Sequence, residues 1–126
     1  MQIELKDGLL VTSLQVAYKG ITKVIDNVVI DTGAAHSLLS SDVVEDIDIR
    51  FLNGDKMVTM YGIGGEEHAF EKVLESVRLG EIEIRSYDMH FGSIDPYGRI
   101  NGLLGLDLLI RAGIVIDLKN LQIYIA

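Results

Sequence analysis

Asp31, Thr32 and Gly33 interrupt an apolar run. Val28, Val29 and Ile30 lead into them, and Ala34 and then Leu38 and Leu39 restore the apolar character. A carboxylate at the end of a buried strand costs free energy unless it is hydrogen-bonded or does chemistry. Gly33 permits a tight turn and the close approach of another backbone, and the Thr32 hydroxyl can tie neighbouring backbone. An ordinary Asx-type turn uses the same residues. The alternative is an active-site loop whose carboxylate exchanges a proton with a reacting group.

Other polar residues compete weakly for a role. His36, His68 and His90 are scattered without the close spacing of metal ligands, so they read as structural or surface residues, and no metal or other cofactor is expected. Tyr61-Gly62-Ile63-Gly64-Gly65 lacks the Lys-Ser/Thr ending of a phosphate loop. Asp107, Asp117 and Glu71 could be argued into a second acid site. Asp107 fits better at a helix N-terminus, where negative charge is favourable. Asp95-Pro96-Tyr97-Gly98 reads as a turn.

Strands must position the loop. Leu9–Tyr18 and Ile21–Ile30 are rich in β-branched and apolar residues, and Lys19-Gly20 between them makes a hairpin. A short stretch after Gly33 could be helical, and Ser41 or Asp42 could cap a brief turn through Val43, Val44 and Glu45. The segment from Lys56 reads as two strand arms around the glycine-rich tip. Phe70, Val73, Leu74 and Val77 also match a helical template, but the glycines on either side favour a strand. Glu81–Phe91 alternates as a strand, with Ile82 and Ile84 on one face. Leu106–Ala112 is the helix candidate, stopped by Gly113. "IVIDL" and "LQIYIA" form a last hairpin across Lys119-Asn120. Mostly β structure with one short helix and glycine-rich turns implies a sandwich or a closed barrel.

The 126 residues suit a single domain spanning 1–126. Apolar residues make up 48 % of them, high enough that part of the surface is expected to be covered by a second copy. No cysteine is present, which removes disulfides and thiolate chemistry. The net charge of −8 disfavours nucleic acid as a partner. No apolar run approaches the ~18 residues of a membrane span, and the start lacks the pattern of a secretory signal, so no membrane association and a cytoplasmic location are expected.

Taken together, the hydrophobic strand before Asp31-Thr32-Gly33-Ala34, the Gly62–Gly65 tip and the later Leu103-Leu104-Gly105 leading into a helix resemble the retropepsin-like aspartic proteases. The resemblance runs from about Leu9 to Ile125 in matching order. It implies a closed acid-protease-type β-barrel with one short C-terminal helix, and a flap hairpin over the substrate. Retroviral members often carry an acidic residue two positions after the triplet glycine, paired with an arginine after the helix-leading glycine. Ala35 and Leu106 stand there instead, which suggests a cellular or bacterial type of member. Extra length relative to the minimal viral domain falls around Asp42–Asp55 and Ser93–Arg99.

Carboxylate-catalysed peptide hydrolysis needs two carboxylates sharing a proton, because close like charges do not both ionise. The chain has one Asp-Thr-Gly. The resemblance therefore implies a homodimeric endopeptidase, with Asp31 of each copy meeting at a two-fold axis. Asp31, Thr32 and Gly33 would form the catalytic triplet, with Thr32 bonding across the axis and Gly33 presenting its carbonyl to a peptide substrate. Ala34, Gly62, Ile63, Gly64, Leu103 and Leu104 would contact substrate or support the loop, and Ile100 would help line the pockets. The terminal segments "MQIEL" and "LQIYIA" would interleave between subunits. The competing expectation is a dimerising or peptide-binding module of the same fold with weak or no hydrolysis.

Overall fold

The computed structural model describes residues 1–62, 65–95 and 98–126, and of residues 61–62 and 65–67 the strand backbone alone. Among the described residues, ten strands, one short α-helix and one 3-10 turn follow one another. The first strands are β1 (Glu4–Lys6), β2 (Leu9–Tyr18), β3 (Ile21–Ile30) and β4 (Leu38–Ser40). After them come β5 (Met57–Gly62), β6 (Gly65–Leu79), β7 (Ile82–Gly92) and β8 (Gly102–Leu104). Helix α1 (Leu106–Arg111), β9 (Ile114–Asp117) and β10 (Gln122–Ile125) complete the chain.

Eight strands pair in the order β1-β2-β3-β8-β4-β7-β6-β5. The far end of β6 also pairs with β2, with Gln15 opposite Arg78 and Ala17 opposite Ser76, so the ladder returns toward its start. Alternation along the strands turns Val16, Ile25, Val28, Leu39, Leu74, Met89, Phe91 and Leu104 into one core. Phe70 stacks on Phe91 with ring centres 5.6 Å apart. Burial of such side chains is the main source of stability. No helix among the described residues is long and apolar enough to cross a membrane.

The segment that matched a helical template is strand β6. Phe70, Leu74 and Val77 are buried, but Val73 is 59 % exposed. Phe70, Lys72 and Leu74 keep period two, and the buried set then shifts parity to Val77 and Leu79. That shift mimics an i, i+4, i+7 pattern, whereas pairing on both edges with β5, β7 and β2 dictates the strand.

Two local expectations are corrected. The stretch after Gly33 is not helical; it turns and becomes β4, whose three residues are all buried. The chain does turn through Ser41–Val44 and on into a 3-10 turn at Glu45–Ile47, but the N-cap is Val44 and neither Ser41 nor Asp42 caps it with a side chain. The helix stops as expected, with Gly113 at φ 65°, a conformation glycine takes at no steric cost. The chain ends pair within one molecule: Ile3 N–H donates to the Leu121 carbonyl at 3.0 Å and Ile123 N–H to that of Met1 at 2.9 Å.

Candidate active site

Strand β8 lies between β3 and β4. It runs parallel to β3, with Ile30 opposite Leu104, and antiparallel to β4, with Leu38 opposite Leu103. The loop from Asp31 to Ser37 joins the two strands that flank β8, so it must arch over the end of β8. Asp31 N–H donates to the Leu104 carbonyl at 2.9 Å, extending the ladder by one bond. The apolar run before Asp31 thus serves to lock the strand that delivers the carboxylate.

Asp31 is half-buried, and Thr32 and Gly33 are exposed. Gly33 N–H donates to Asp31 Oδ1 at 3.0 Å, and Ala34 N–H donates to the Asp31 carbonyl at 3.2 Å. A carboxylate oriented by a backbone donor keeps its other oxygen for a water or a second acid. Ala34 is half-buried, and its carbonyl accepts Leu106 N–H at 2.8 Å. Gly105 permits this approach: a Cβ there would lie 2.8 Å from both the Ala34 oxygen and the His36 carbonyl carbon.

Leu103 is half-buried, whereas Leu104 is fully buried, so Leu104 supports the loop through its carbonyl and its side chain fills the core. Ile100 lines a cavity of about 200 Å³ with Leu9, Val11 and Val29, and Lys6 and Arg99 are also among its walls. Gly62 pairs with Gly65 at the end of the β5–β6 hairpin. Ile63 and Gly64 lie outside the described residues, as do Pro96 and Tyr97 of the expected turn. Gly98 N–H does reach the Asp95 carbonyl at 3.0 Å.

Sequence reasoning missed Ser37 and Tyr87 and misread the main role of Asp107. Asp107 sits in the first turn of α1, but its side chain reaches beyond the helix. Oδ1 accepts the Ser37 N–H at 2.9 Å and the Ser37 hydroxyl at 2.7 Å, and Oδ2 accepts the Tyr87 hydroxyl. Burial opposes the charge of Asp107, but the bonds from Tyr87, Ser37 and the Leu108 backbone outweigh it and hold the carboxyl below its usual range. Burial, and then the bond to Asp107 and its charge, push the Tyr87 hydroxyl well above its usual range. The available signal was an acid just after Leu103-Leu104-Gly105 and a serine shortly after the triplet, residue types that also suit caps and turns.

The histidines are less scattered than their spacing implies. His36, on the Asp31 loop, faces His90 of β7 with ring centres 5.5 Å apart. His90 Nε2 lies 3.1 Å from Glu71 Oε2 on β6. The buried His90 Nδ1 has no hydrogen-bond partner among the described residues. Among those residues no group of three or more His, Asp or Glu side chains could hold a metal ion. Asp117 is occupied in its own turn, accepting from Lys119 and Asn120 backbone.

A strand-borne Asp-Thr-Gly loop arching over an apolar-apolar-Gly strand is the arrangement of an aspartic protease. Residues 14–108 match the aspartyl protease family, and the chain belongs to it. It is a retropepsin-like member. Its fold is similar to the crystal structure of a retropepsin-like aspartic protease from Rickettsia conorii. The two chains are 27 % identical with a TM-score of 0.67, over 97 % of this chain and 86 % of that one. A comparison with curated protein sequences finds no match.

Proposed function

We propose that the protein is an aspartic endopeptidase active as a homodimer, in which Asp31 of each copy shares one proton and one water. The observation that carries this reading is the single Asp31 carboxylate, oriented by Gly33 N–H in an exposed loop. One carboxylate would act as base toward water while the other, protonated, polarises the scissile carbonyl. The pair would titrate as a unit. Thr32 would bond across the axis, and Gly33 would offer its carbonyl to the substrate. The hairpin tip at Gly62, Ile63 and Gly64 would close as a flap. The ring of ladders from β2 through β6 would form the closed barrel beneath it.

Substrate would lie as an added extended strand. Ala34 and Leu103 would lie along it, and the cavity at Val29 and Ile100 would receive an apolar side chain. Exposed Ile110, Leu118, Tyr124 and Ile125 support a second copy covering the helix and terminal hairpin.

Digestion of a diverse peptide library by wild type and Asp31→Asn in parallel tests this. Cleavage by wild type alone supports the peptidase. Cleavage that survives in Asp31→Asn removes Asp31 from the chemistry, and no cleavage by either protein favours a peptide-binding module.

A further inference from the structure

Ser37 and Asp107 lie outside the Asp-Thr-Gly triplet, yet they join the segments that hold it. Ser37 is 2 % exposed, and it ends a loop in which Thr32, Gly33, Ala35 and His36 are all exposed. Its hydroxyl accepts Gly105 N–H at 2.9 Å and donates to Asp107 Oδ1 at 2.7 Å. Its own N–H reaches the same carboxylate oxygen at 2.9 Å. Gly105 directly follows Leu104, whose carbonyl takes the Asp31 N–H. The other carboxylate oxygen is tied to β7 through Tyr87. Ala35 and Leu106 are apolar, so no charged pair crosses this junction at those positions. A buried network whose members are all satisfied is rigid.

We propose that Ser37 and Asp107 are positioning residues for Asp31. They fix the far end of its loop to the β8–α1 junction so that the carboxylate keeps the orientation a shared-proton dyad requires. This rests on the aspartic peptidase reading. The two residues touch neither water nor substrate in the reaction; they set the geometry of the group that does. Asp107 acts chiefly through the oxygen facing Ser37, and an amide oxygen can take its place.

The test uses the full chain and a peptide cleaved in the library digestion. Steady-state kinetics of Ser37→Ala, Asp107→Ala, Asp107→Asn and the Ser37→Ala/Asp107→Ala double variant are paired with amide hydrogen exchange. Ser37→Ala and Asp107→Ala should each lower kcat by about tenfold to a hundredfold, with KM changed by less than about threefold. Asp107→Asn should recover most of kcat. The double variant should be no worse than the poorer single one, because both changes break one network. Exchange at the Asp31, Ala34 and Leu106 amides should quicken in Ser37→Ala while the core amides of Val16 and Leu74 hold.

An unchanged kcat in Ser37→Ala, or losses that simply add in the double variant, overturns the proposal. So does unchanged exchange at the loop amides. If Asp107→Ala fails to fold, Ser37→Ala carries both readouts. If wild type cleaves nothing, the peptidase reading fails, and exchange alone decides whether these residues hold the loop.

Discussion

The Asp31 loop and the β5–β6 hairpin are fastened in different ways. The loop runs from β3 into β4, whose residues are all buried, and crosses to β8 and α1 through backbone bonds and the Ser37–Asp107–Tyr87 network. Strand β5 pairs with β6 alone among the described strands, and none of Met57, Val58, Thr59 and Met60 is buried. The loop cannot shift without breaking buried bonds, whereas β5 itself gives the core little apolar contact. Under the proposed function, this difference would suit a rigid catalytic floor beneath a covering arm. Near its base a buried ion pair helps anchor the arm: Lys72, 8 % exposed, places its ammonium 2.6 Å from Asp55. Asp55 also accepts Leu52 N–H at 2.7 Å. The bond from Lys72, with that from Leu52, holds its carboxyl below the usual range.

This contrast can be broken by substitution. Gly105→Ala should have the largest effect on stability, because its Cβ meets backbone on the loop side. A loss of about 1–3 kcal/mol in urea unfolding is expected, against less than about 0.5 kcal/mol for Val58→Ala on the hairpin. Equal losses would show the two regions to be equally packed. Next comes Asp55→Ala, which strands a buried ammonium. It should lower Tm and quicken amide exchange in β5 more than at Asp31 and Ala34; the reverse order would place the Asp55 contact under the floor.

Smaller effects sharpen the picture through pH. The folded-state value of Asp107 is depressed, so its contribution is whole above the unfolded value of about 4 and is lost as pH falls through the folded one. Tyr87 is raised, so its contribution is whole below about pH 10 and declines as pH rises beyond that. Urea midpoints against pH should therefore flatten on the acid side in Asp107→Asn and on the alkaline side in Tyr87→Phe. Unaltered limbs would mean that the network does not sense its own charge. The smallest change is expected for His90→Leu, within about 0.5 kcal/mol of wild type, because it removes a buried nitrogen with no partner among the described residues along with the bond to Glu71. A large loss would identify His90 as a second anchor of the floor.

Several features were open to inspection in the chain itself. The Leu9–Tyr18 and Ile21–Ile30 hairpin, the short helix from Leu106 and the final hairpin follow from local patterns that the structure keeps. The loop was legible because a carboxylate, a hydroxyl and a glycine interrupt an apolar strand. Strand β4 was not legible: three residues form a strand there only because β8 and β7 supply partners on both sides. The Ser37–Asp107 pair was hidden for a related reason. Seventy positions separate the two residues, and nothing local in either one names the other.

The residues alone settled that one chain carries a single Asp-Thr-Gly and that strands dominate its architecture, since periodicity and turn chemistry are local properties. Tertiary structure decided which segments press against that triplet. Only the folding of β8 between β3 and β4 turns Gly105 into a necessity, Asp107 into the acceptor for Ser37, and His36 into a neighbour of His90. Those relations depend on long-range strand pairing and close packing, which no short window of sequence contains.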